Sequence, residues 1–140
     1  MARYKLLILE KDKDDLIILS ELLPDDSFEI IGVLNEYPKV EFLARSSDIP
    51  DVIIMNFKLS AKPSWELIKE IRAHEQLRGI VIIVLSVINP KLIIYNGLLS
   101  QADAVILKPF KYKDFAPFVK KIKTIVVDKL NHHDKQTYSQ

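Results

Sequence analysis

Five short apolar segments recur along the chain, and most of them are continuous runs rather than alternating patterns. A continuous apolar run indicates a strand whose two faces are both buried, as in a parallel sheet. Because helical patterns separate the runs, the chain is predicted to form a parallel sheet that helices cover on both sides. The five runs are residues 5–9, 28–34, 51–55, 80–87 and 104–107.

Helix-start signals lie in the intervals between these runs, and they predict five helices. Acidic and hydroxyl side chains suit N-caps, and proline is tolerated in the first turn because its missing N–H would have had no helical partner there. The predicted starts are Asp12 or Asp14, Pro38, Ser64, Asn89 with Pro90, and Asp114.

A chain of 140 residues is long enough for one domain with a sizeable apolar core. We predict one folded domain over residues 1–130. Residues 131–140 are predicted to form a polar, flexible C-terminal tail, because chain ends fray unless apolar contacts hold them.

Charge and composition disfavour several classes of function. Twenty basic and 19 acidic residues give a net charge of +1, so we expect binding neither to nucleic acid nor to a membrane. The longest apolar run, residues 79–88, is shorter than the ~20 residues that span a bilayer. The chain has no cysteine, which favours a reducing, cytoplasmic location. No catalytic triad or glycine-rich phosphate loop is evident, so we do not expect an enzyme.

Four motifs in a fixed order carry a family resemblance. They are the acidic turn from Glu10, the segment PDVIIMN at 50–56, the strand that ends in Ser86, and ADAVILKPF at 102–110. In this order they resemble the receiver domains of two-component response regulators, over residues 3–128. The resemblance implies an α/β, flavodoxin-like, doubly wound sheet of five parallel strands in the order 2-1-3-4-5, with five helices.

In that fold the site lies at the carboxyl ends of the strands, where the strand order reverses. The resemblance therefore implies that five side chains converge there, namely Glu10, Lys11, Asn56, Ser86 and Lys108.

Two of these positions depart from the family pattern. In receivers, two acids after the first strand and an aspartate after the third hold Mg²⁺, and that aspartate accepts a phosphoryl group from a histidine kinase. Here Lys11 stands at the second acidic position and Asn56 at the phosphoacceptor. With Glu10 and Lys108, the formal charges −1 + 1 + 0 + 1 sum to about +1. We therefore expect Mg²⁺ binding to be lost, and an amide cannot form an acyl phosphate.

Other parts of the receiver switch are also altered or ambiguous. Ser86 and Lys108 match the family's hydroxyl and lysine, although Ser86 is equally suited to a local bond at a strand end and Lys108 to pairing with Glu10. Val105 stands where receivers usually place an aromatic switch residue, and Val87 where they place a small one. These changes predict a pseudo-receiver that acts without phosphorylation.

An apolar stripe on the fourth helix predicts a protein interface. Leu92, Tyr95 and Leu99 fall at i, i+3 and i+7, on a face that is predicted to point partly outward, with Lys113 beside it. Contiguous exposed apolar surface often marks an interaction site. Since receivers commonly use the face of their fourth helix, fifth strand and fifth helix, we expect a homodimer or a signalling partner there.

Two alternatives remain open at this stage. The altered pocket could form a small-anion or metabolite-sensing module from Lys11, Lys108, Ser86 and the Asn56 amide. A substitute carboxylate such as Asp12 could instead take the phosphoryl group. Asp12, Asp14 and Asp15 are more simply interpreted as acids that favour the N-terminus of the first helix.

Overall fold

Strands and helices alternate along the whole chain. The computed structural model describes residues 2–59, 62–95, 97 and 99–138, and the side chains of 93–95 and 133–138 lie outside that description. The strands are β1 (Tyr4–Leu9), β2 (Phe28–Leu34), β3 (Val52–Asn56), β4 (Val81–Ser86) and β5 (Ala104–Leu107). The helices are α1 (Lys13–Leu22), α2 (Val40–Arg45), α3 (Ser64–Ala73), α4 (Pro90–Tyr95) and α5 (Phe115–Tyr138), with a 3₁₀ turn (Tyr112–Asp114) before α5.

Within these residues the five strands form one sheet in the order β2-β1-β3-β4-β5, and each neighbouring pair is parallel. The predicted flavodoxin-like order is therefore confirmed. The chain moves from β1 to one neighbour, β2, and later returns to the opposite side of β1 as β3. This reversal opens a crevice at the carboxyl ends of β1 and β3, which is where sheets of this kind place their sites.

Both faces of the central strands β1, β3 and β4 are buried, as the continuous apolar runs predict. Along β1, Leu6 and Ile8 point into a core formed with α1 and α5, whereas Leu7 and Leu9 point into a core formed with α2 and α3. All four side chains are buried. The alternation follows from strand geometry, in which successive side chains point to opposite faces.

Local side-chain chemistry sets the helix starts. Asp12 is the N-cap of α1, and its Oδ1 accepts a hydrogen bond of 3.0 Å from the backbone N–H of Asp15. Asn89 Oδ1 accepts one of 3.0 Å from the N–H of Lys91 at the start of α4. Ser64 was the predicted cap of α3, but Pro63 holds the cap position and the Ser64 side chain is buried one residue inside the helix.

The fourth helix is shorter than the sequence pattern suggested. It ends at Tyr95, and Gly97 adopts a φ of 70°, a left-handed conformation that glycine accepts without strain and that commonly terminates helices. Leu99 lies beyond this break and packs among the α2–α3 core, with only 5% of its surface exposed. The prediction that Leu99 belongs to an outward stripe is therefore wrong.

The last helix is longer than predicted, because α5 continues past Leu130 to Tyr138 where the sequence suggested a frayed tail. Its inner face packs through Phe118, Val119, Ile122 and Val126 onto the core shared with α1. Among the described residues, no helix has both the length and the apolar character required to cross a bilayer.

An ion pair ties together the amino ends of β4 and β5. Arg72, near the end of α3, donates to the carbonyl oxygens of Arg78, Ile80 and Gln101 at 2.8, 2.6 and 3.0 Å. Its Nη2 also donates to Asp103 Oδ2 at 2.8 Å, and the same oxygen accepts the N–H of Ile82 at 2.7 Å. We call this group the Arg72 clamp. It fixes the edge of the sheet opposite the crevice.

Candidate functional site

The carboxyl ends of four strands bring most of the predicted site residues to one edge of the sheet. Glu10 follows β1, Asn56 ends β3, Ser86 ends β4 and Lys108 follows β5. The backbone positions these ends closely, since the N–H of Lys108 donates to the carbonyl oxygen of Ser86 at 2.7 Å. Lys11, the fifth predicted residue, has an exposed side chain.

Lys108 is the centre of a buried ionic group. Its Nζ lies 2.6 Å from Glu10 Oε1 and 2.6 Å from Asp15 Oδ2, and its side chain is only 7% exposed. The contact with Glu10 is the pairing that the sequence suggested. Asp15 was assigned only to the helix dipole, yet it binds the same ammonium. We call Glu10, Asp15 and Lys108 the buried ion group.

The sequence did carry a signal for Asp15. In α1, Ile18 and Leu19 lie three and four residues after it, and both are buried. Side chains at these spacings share one face of a helix, so Asp15 lies on the inward face. A carboxylate on an apolar helix face requires a partner, and that requirement points to a buried cation.

The buried ion group carries formal charges of −1, −1 and +1, which sum to about −1. Burial raises the pKa of the Glu10 carboxyl, and the nearby Lys108 ammonium opposes that rise without cancelling it. Burial alone would lower the pKa of Lys108, but its hydrogen bonds to Asp15 and Glu10 outweigh burial and leave that pKa raised. Lys108 therefore stays cationic and bound at neutral pH.

One oxygen of the group is left without a partner. Glu10 Oε2 is buried and accepts no hydrogen bond from the described residues, although Glu10 as a whole is only 2% exposed. A buried acceptor without a donor is energetically unfavourable. Besides burial, the nearby Asp15 carboxylate raises the pKa of Glu10, because a second negative charge disfavours the ionised carboxyl.

Asn56 belongs to a separate set of contacts at the end of β3. Its Nδ2 donates to the carbonyl oxygen of Lys58 at 2.9 Å. The Tyr37 hydroxyl lies 2.9 Å from the carbonyl oxygen of Asn56 and 3.1 Å from that of Phe57, and donates between them. Burial raises the pKa of Tyr37 to about 12, so the hydroxyl remains a donor at neutral pH. Asn56 thus shapes the start of the β3–α3 loop.

The remaining switch positions are packed or locally bonded. Ser86 is buried, and its Oγ accepts the N–H of Ile88 at 3.0 Å, which is the local strand-end bond that the sequence left open. Val105 is partly buried against the α2–α3 core. The hydrogen bond of Ser86 and the packing of Val105 described here do not involve the buried ion group.

The resemblance implies a magnesium ion at this edge, and the residues present do not fit one. Mg²⁺ requires several oxygen ligands in octahedral geometry. Here Glu10 Oε1 is bound to the Lys108 ammonium, Asn56 offers an amide, and Lys11 replaces an acid. In the described part of the chain, no three His, Cys, Asp or Glu side chains are grouped so as to hold a metal ion.

The predicted interface residues have different surroundings. Leu92 is 59% exposed and Lys113 is exposed, whereas Leu99 is buried as described above. The side chain of Tyr95 lies outside the described residues. Further apolar side chains are exposed on the neighbouring segments, at Val87, Ile88 and Leu107.

Of the comparisons with known proteins, only the comparison with solved structures finds matches. No protein-family model matches the sequence, and no curated protein matches it either. Solved structures do match over nearly the whole chain. The phosphorylated cyanobacterial phytochrome response regulator RcpA is 23% identical, with a TM-score of 0.75 over 90% of this chain and 95% of that one.

Two further structures agree with this result. The chemotaxis response regulator CheY4 of Vibrio cholerae is 18% identical, with a TM-score of 0.70 over 89% of this chain and 99% of that one. An adenylate cyclase structure from Rhodopirellula baltica is 20% identical, with a TM-score of 0.72 over 99% and 95%. At identities this low, the structural matches establish only the fold, which is the flavodoxin-like fold of receiver domains. The activity has to be argued from the site.

Proposed function

We propose that this chain is an atypical receiver domain in signal transduction that acts through protein contacts and without phosphorylation at position 56. The proposal rests on the receiver fold together with a pocket whose chemistry departs from the receiver pattern. It includes the loss of Mg²⁺ binding and the absence of enzymatic activity. A cytoplasmic location remains a prediction from the lack of cysteine.

The buried ion group is the observation that carries the proposal. In a receiver, the lysine after β5 is the cation expected to meet a phosphoryl group. Here both contacts of Lys108 Nζ, each 2.6 Å long, go to carboxylates of the chain itself. The Asn56 amide offers no anionic nucleophile. The lysine therefore has its counter-charge without any modification, which supports a fixed state rather than a switch.

Exposed apolar side chains support the choice of contact surface. Register places Ser86 of β4 beside Leu107 of the edge strand β5, and Leu107 is 47% exposed. Val87 and Ile88 follow Ser86 directly, and Leu92 lies in the helix that comes next. We call Val87, Ile88, Leu92 and Leu107 the β5-edge surface. Apolar side chains beside an unpaired strand edge are suited to association with another protein.

Phosphorylation chemistry provides the direct test. The protein is incubated with Mg²⁺ and acetyl phosphate, or with Mg²⁺ and beryllofluoride, while amide chemical shifts and intact mass are recorded. We expect no mass increase and no saturable shifts at Glu10, Asn56 or Lys108. A covalent phosphate on any carboxylate, including Asp12, would show that a substitute acid performs the chemistry and would overturn the proposal.

A gain-of-function variant serves as the positive control if the native protein shows no response to Mg²⁺. Asn56→Asp combined with Lys11→Asp restores acids at both altered positions beside Glu10. We expect this variant to show saturable Mg²⁺-dependent shifts at those three positions, because hard cations prefer clustered carboxylates. If the variant also stays silent, the two substitutions are not the reason for the loss of metal binding.

Association through the β5-edge surface is tested separately by substitution. Leu92→Glu places a charge on the surface and should abolish self-association in light scattering, or binding to a partner once one is known, while circular dichroism stays unchanged. Phe42→Glu, at a side chain of α2 that is 65% exposed, is the matched control. Equal effects of the two substitutions would contradict the assigned surface.

The anion-sensing alternative receives no support from the geometry. Its cation would be Lys108, which two carboxylates already bind, and the net charge of about −1 in the buried ion group repels an anion. Lys11, the second cation required, has an exposed side chain.

A further inference from the structure

Four consecutive residues, beginning with the last residue of β3, each have a backbone polar group held by a side chain. The Tyr37 hydroxyl donates to the carbonyl oxygens of Asn56 and Phe57, at 2.9 and 3.1 Å. Burial raises the pKa of Tyr37, and a hydrogen bond from the Leu59 N–H to the phenolic oxygen opposes that rise. The Asn56 amide donates to the carbonyl oxygen of Lys58 at 2.9 Å. Two side chains therefore hold the backbone of all four residues.

Tyr37 reaches this segment from a distant part of the fold. It lies between β2 and α2, whereas the segment that it holds, residues 56–59, extends from the end of β3 toward α3. We call residues 56–59 the β3 turn. In the sheet, β1 separates β2 from β3, so the Tyr37 side chain crosses the carboxyl end of β1, where the strand order reverses. The hydroxyl therefore links two loops that border the crevice.

The contact with Lys58 requires a hydrogen-bond donor at position 56. A carbonyl oxygen accepts hydrogen bonds and donates none, so the atom that faces it has to be Nδ2 of the Asn56 amide. An ionised aspartate offers acceptor oxygens and no donor. It would lose this bond and place a negative charge against the Lys58 carbonyl oxygen. Asn56 is therefore a positioning residue for the β3 turn, besides being unable to accept a phosphoryl group.

We infer that Tyr37 and Asn56 form a hydrogen-bonded lock that holds the β3 turn in one conformation. An aspartate at position 56 releases the turn, and so does loss of the Tyr37 hydroxyl. The inference deepens the proposed function and rests on it, because it assigns the bonds that keep the domain in one state without phosphorylation. Restoring an acid at position 56 alone therefore loosens the turn instead of ordering it.

Relaxation dispersion of backbone amides measures the lock in the intact protein, with no Mg²⁺ or phosphate donor present, because it detects minor states that exchange within microseconds to milliseconds. Asn56→Asp and Tyr37→Phe should each raise the population of the open turn about tenfold, as expected when a hydrogen bond is lost and its acceptor is left unpaired. The dispersion should appear at Lys58 and Leu59. Ile54, in the middle of β3, should show none, because opening there would mean partial unfolding of the sheet.

Two control variants make the same chemical changes elsewhere. Asn131→Asp introduces a carboxylate at an exposed position of α5, and Tyr112→Phe removes a hydroxyl from a side chain that is 72% exposed. Neither should produce dispersion at Leu59. The single tryptophan of the chain gives a second measurement, since the centroid of the Trp65 ring lies 6.0 Å from that of Phe57 in the β3 turn. Its fluorescence should change in the two lock variants and stay unchanged in the controls.

The double variant Tyr37→Phe/Asn56→Asp shows whether the two side chains act together. If each one positions the acceptors of the other, a single substitution already weakens both sets of bonds. The open population of the double variant should then stay below about thirtyfold that of the native protein, whereas independent bonds would multiply to about hundredfold.

Several results would overturn the inference. These are unchanged dispersion at Leu59 in both single variants, equal dispersion in the Asn131 or Tyr112 controls, or effects that multiply in the double variant. A covalent phosphate on a substitute carboxylate would instead overturn the proposed function. Because the lock is measured without a phosphate donor, the two failures are distinguishable.

Discussion

Ion pairs hold the two opposite edges of the sheet, and they differ in how completely their hydrogen bonds are satisfied. At the amino edge, Arg72 of the clamp donates four hydrogen bonds, three of them to backbone carbonyls. At the carboxyl edge, the buried ion group holds two acids against one lysine, and Glu10 Oε2 has no donor among the residues that the structure describes. The clamp is suited to structure alone. The excess charge and the unpartnered acceptor at the other edge lower the stability that its ion pairs provide.

The largest effect that the comparison predicts follows from removing the shared cation. Lys108→Met leaves the buried Glu10 and the partly exposed Asp15 without a counter-ion, and we expect a loss of about 3–5 kcal/mol in the free energy of unfolding at neutral pH. Urea denaturation measures it. The loss should shrink in acid, where the Glu10 carboxyl, whose pKa is raised by burial, becomes protonated. Lys120→Met, at an exposed lysine of α5, should change stability by less than about 0.5 kcal/mol.

The clamp should be less costly to weaken, because it contains two charges rather than three and its Arg72 is more exposed than Lys108. Arg72→Lys keeps the charge but cannot reach the spread-out carbonyl oxygens, and we expect a loss of about 2 kcal/mol. Arg45→Lys, at an exposed arginine, is the control and should be neutral within about 0.5 kcal/mol. A loss larger than that of Lys108→Met would reverse the ranking of the two edges.

Tyr37 tests the carboxyl edge away from the ions. Tyr37→Phe removes the hydroxyl that donates to Asn56 and Phe57, at an expected cost of about 1 kcal/mol. Because folding raises the pKa of Tyr37 from 10.0 to about 12, this contribution is complete below pH 10 and is lost as pH rises through the folded value. Denaturation of both proteins at a series of alkaline pH values measures this contribution. If the native protein remained more stable than Tyr37→Phe above pH 12, the assigned contacts would be contradicted.

The smallest expected effect concerns Glu10 Oε2, the buried oxygen that has no hydrogen-bond donor among the described residues. Glu10→Gln should change stability at neutral pH by less than about 1 kcal/mol, because Asp15 still binds Lys108. Since the folded pKa of Glu10 lies above its ordinary 4.5, the stability that its proton provides is complete below pH 4.5 and lost as pH rises through the folded pKa. The free energy of unfolding of Glu10→Gln should therefore rise relative to that of the native protein as pH increases above 4.5. A parallel pH profile for the two proteins would refute the raised pKa.

The fold could be predicted because its signals are local and repeated. Parallel strands that helices cover are encoded by continuous apolar runs, and the predicted bounds of β2 and β5 agree with the structure at both ends. The sequence predicted site residues correctly where a family motif assigns them, as at Glu10 and Lys108. Asp15 was missed because its partner is distant in the sequence and the same side chain also suits a helix N-terminus.

The error at Leu99 has a different physical origin. Spacing of i, i+3 and i+7 describes one helix face only if the helix continues, and Gly97 ends it beforehand. Position 99 is then placed by tertiary packing, which helical spacing does not encode.

The Arg72 clamp also determines how the two edges can diverge during evolution. Three of the acceptors of Arg72 are peptide carbonyls, which every amino acid supplies, so no substitution elsewhere can compensate for losing the guanidinium. We expect position 72 to stay invariant among relatives. Glu10, Asp15 and Lys108 bind through side chains alone, so those three positions are free to change together, and in an alignment they should co-vary.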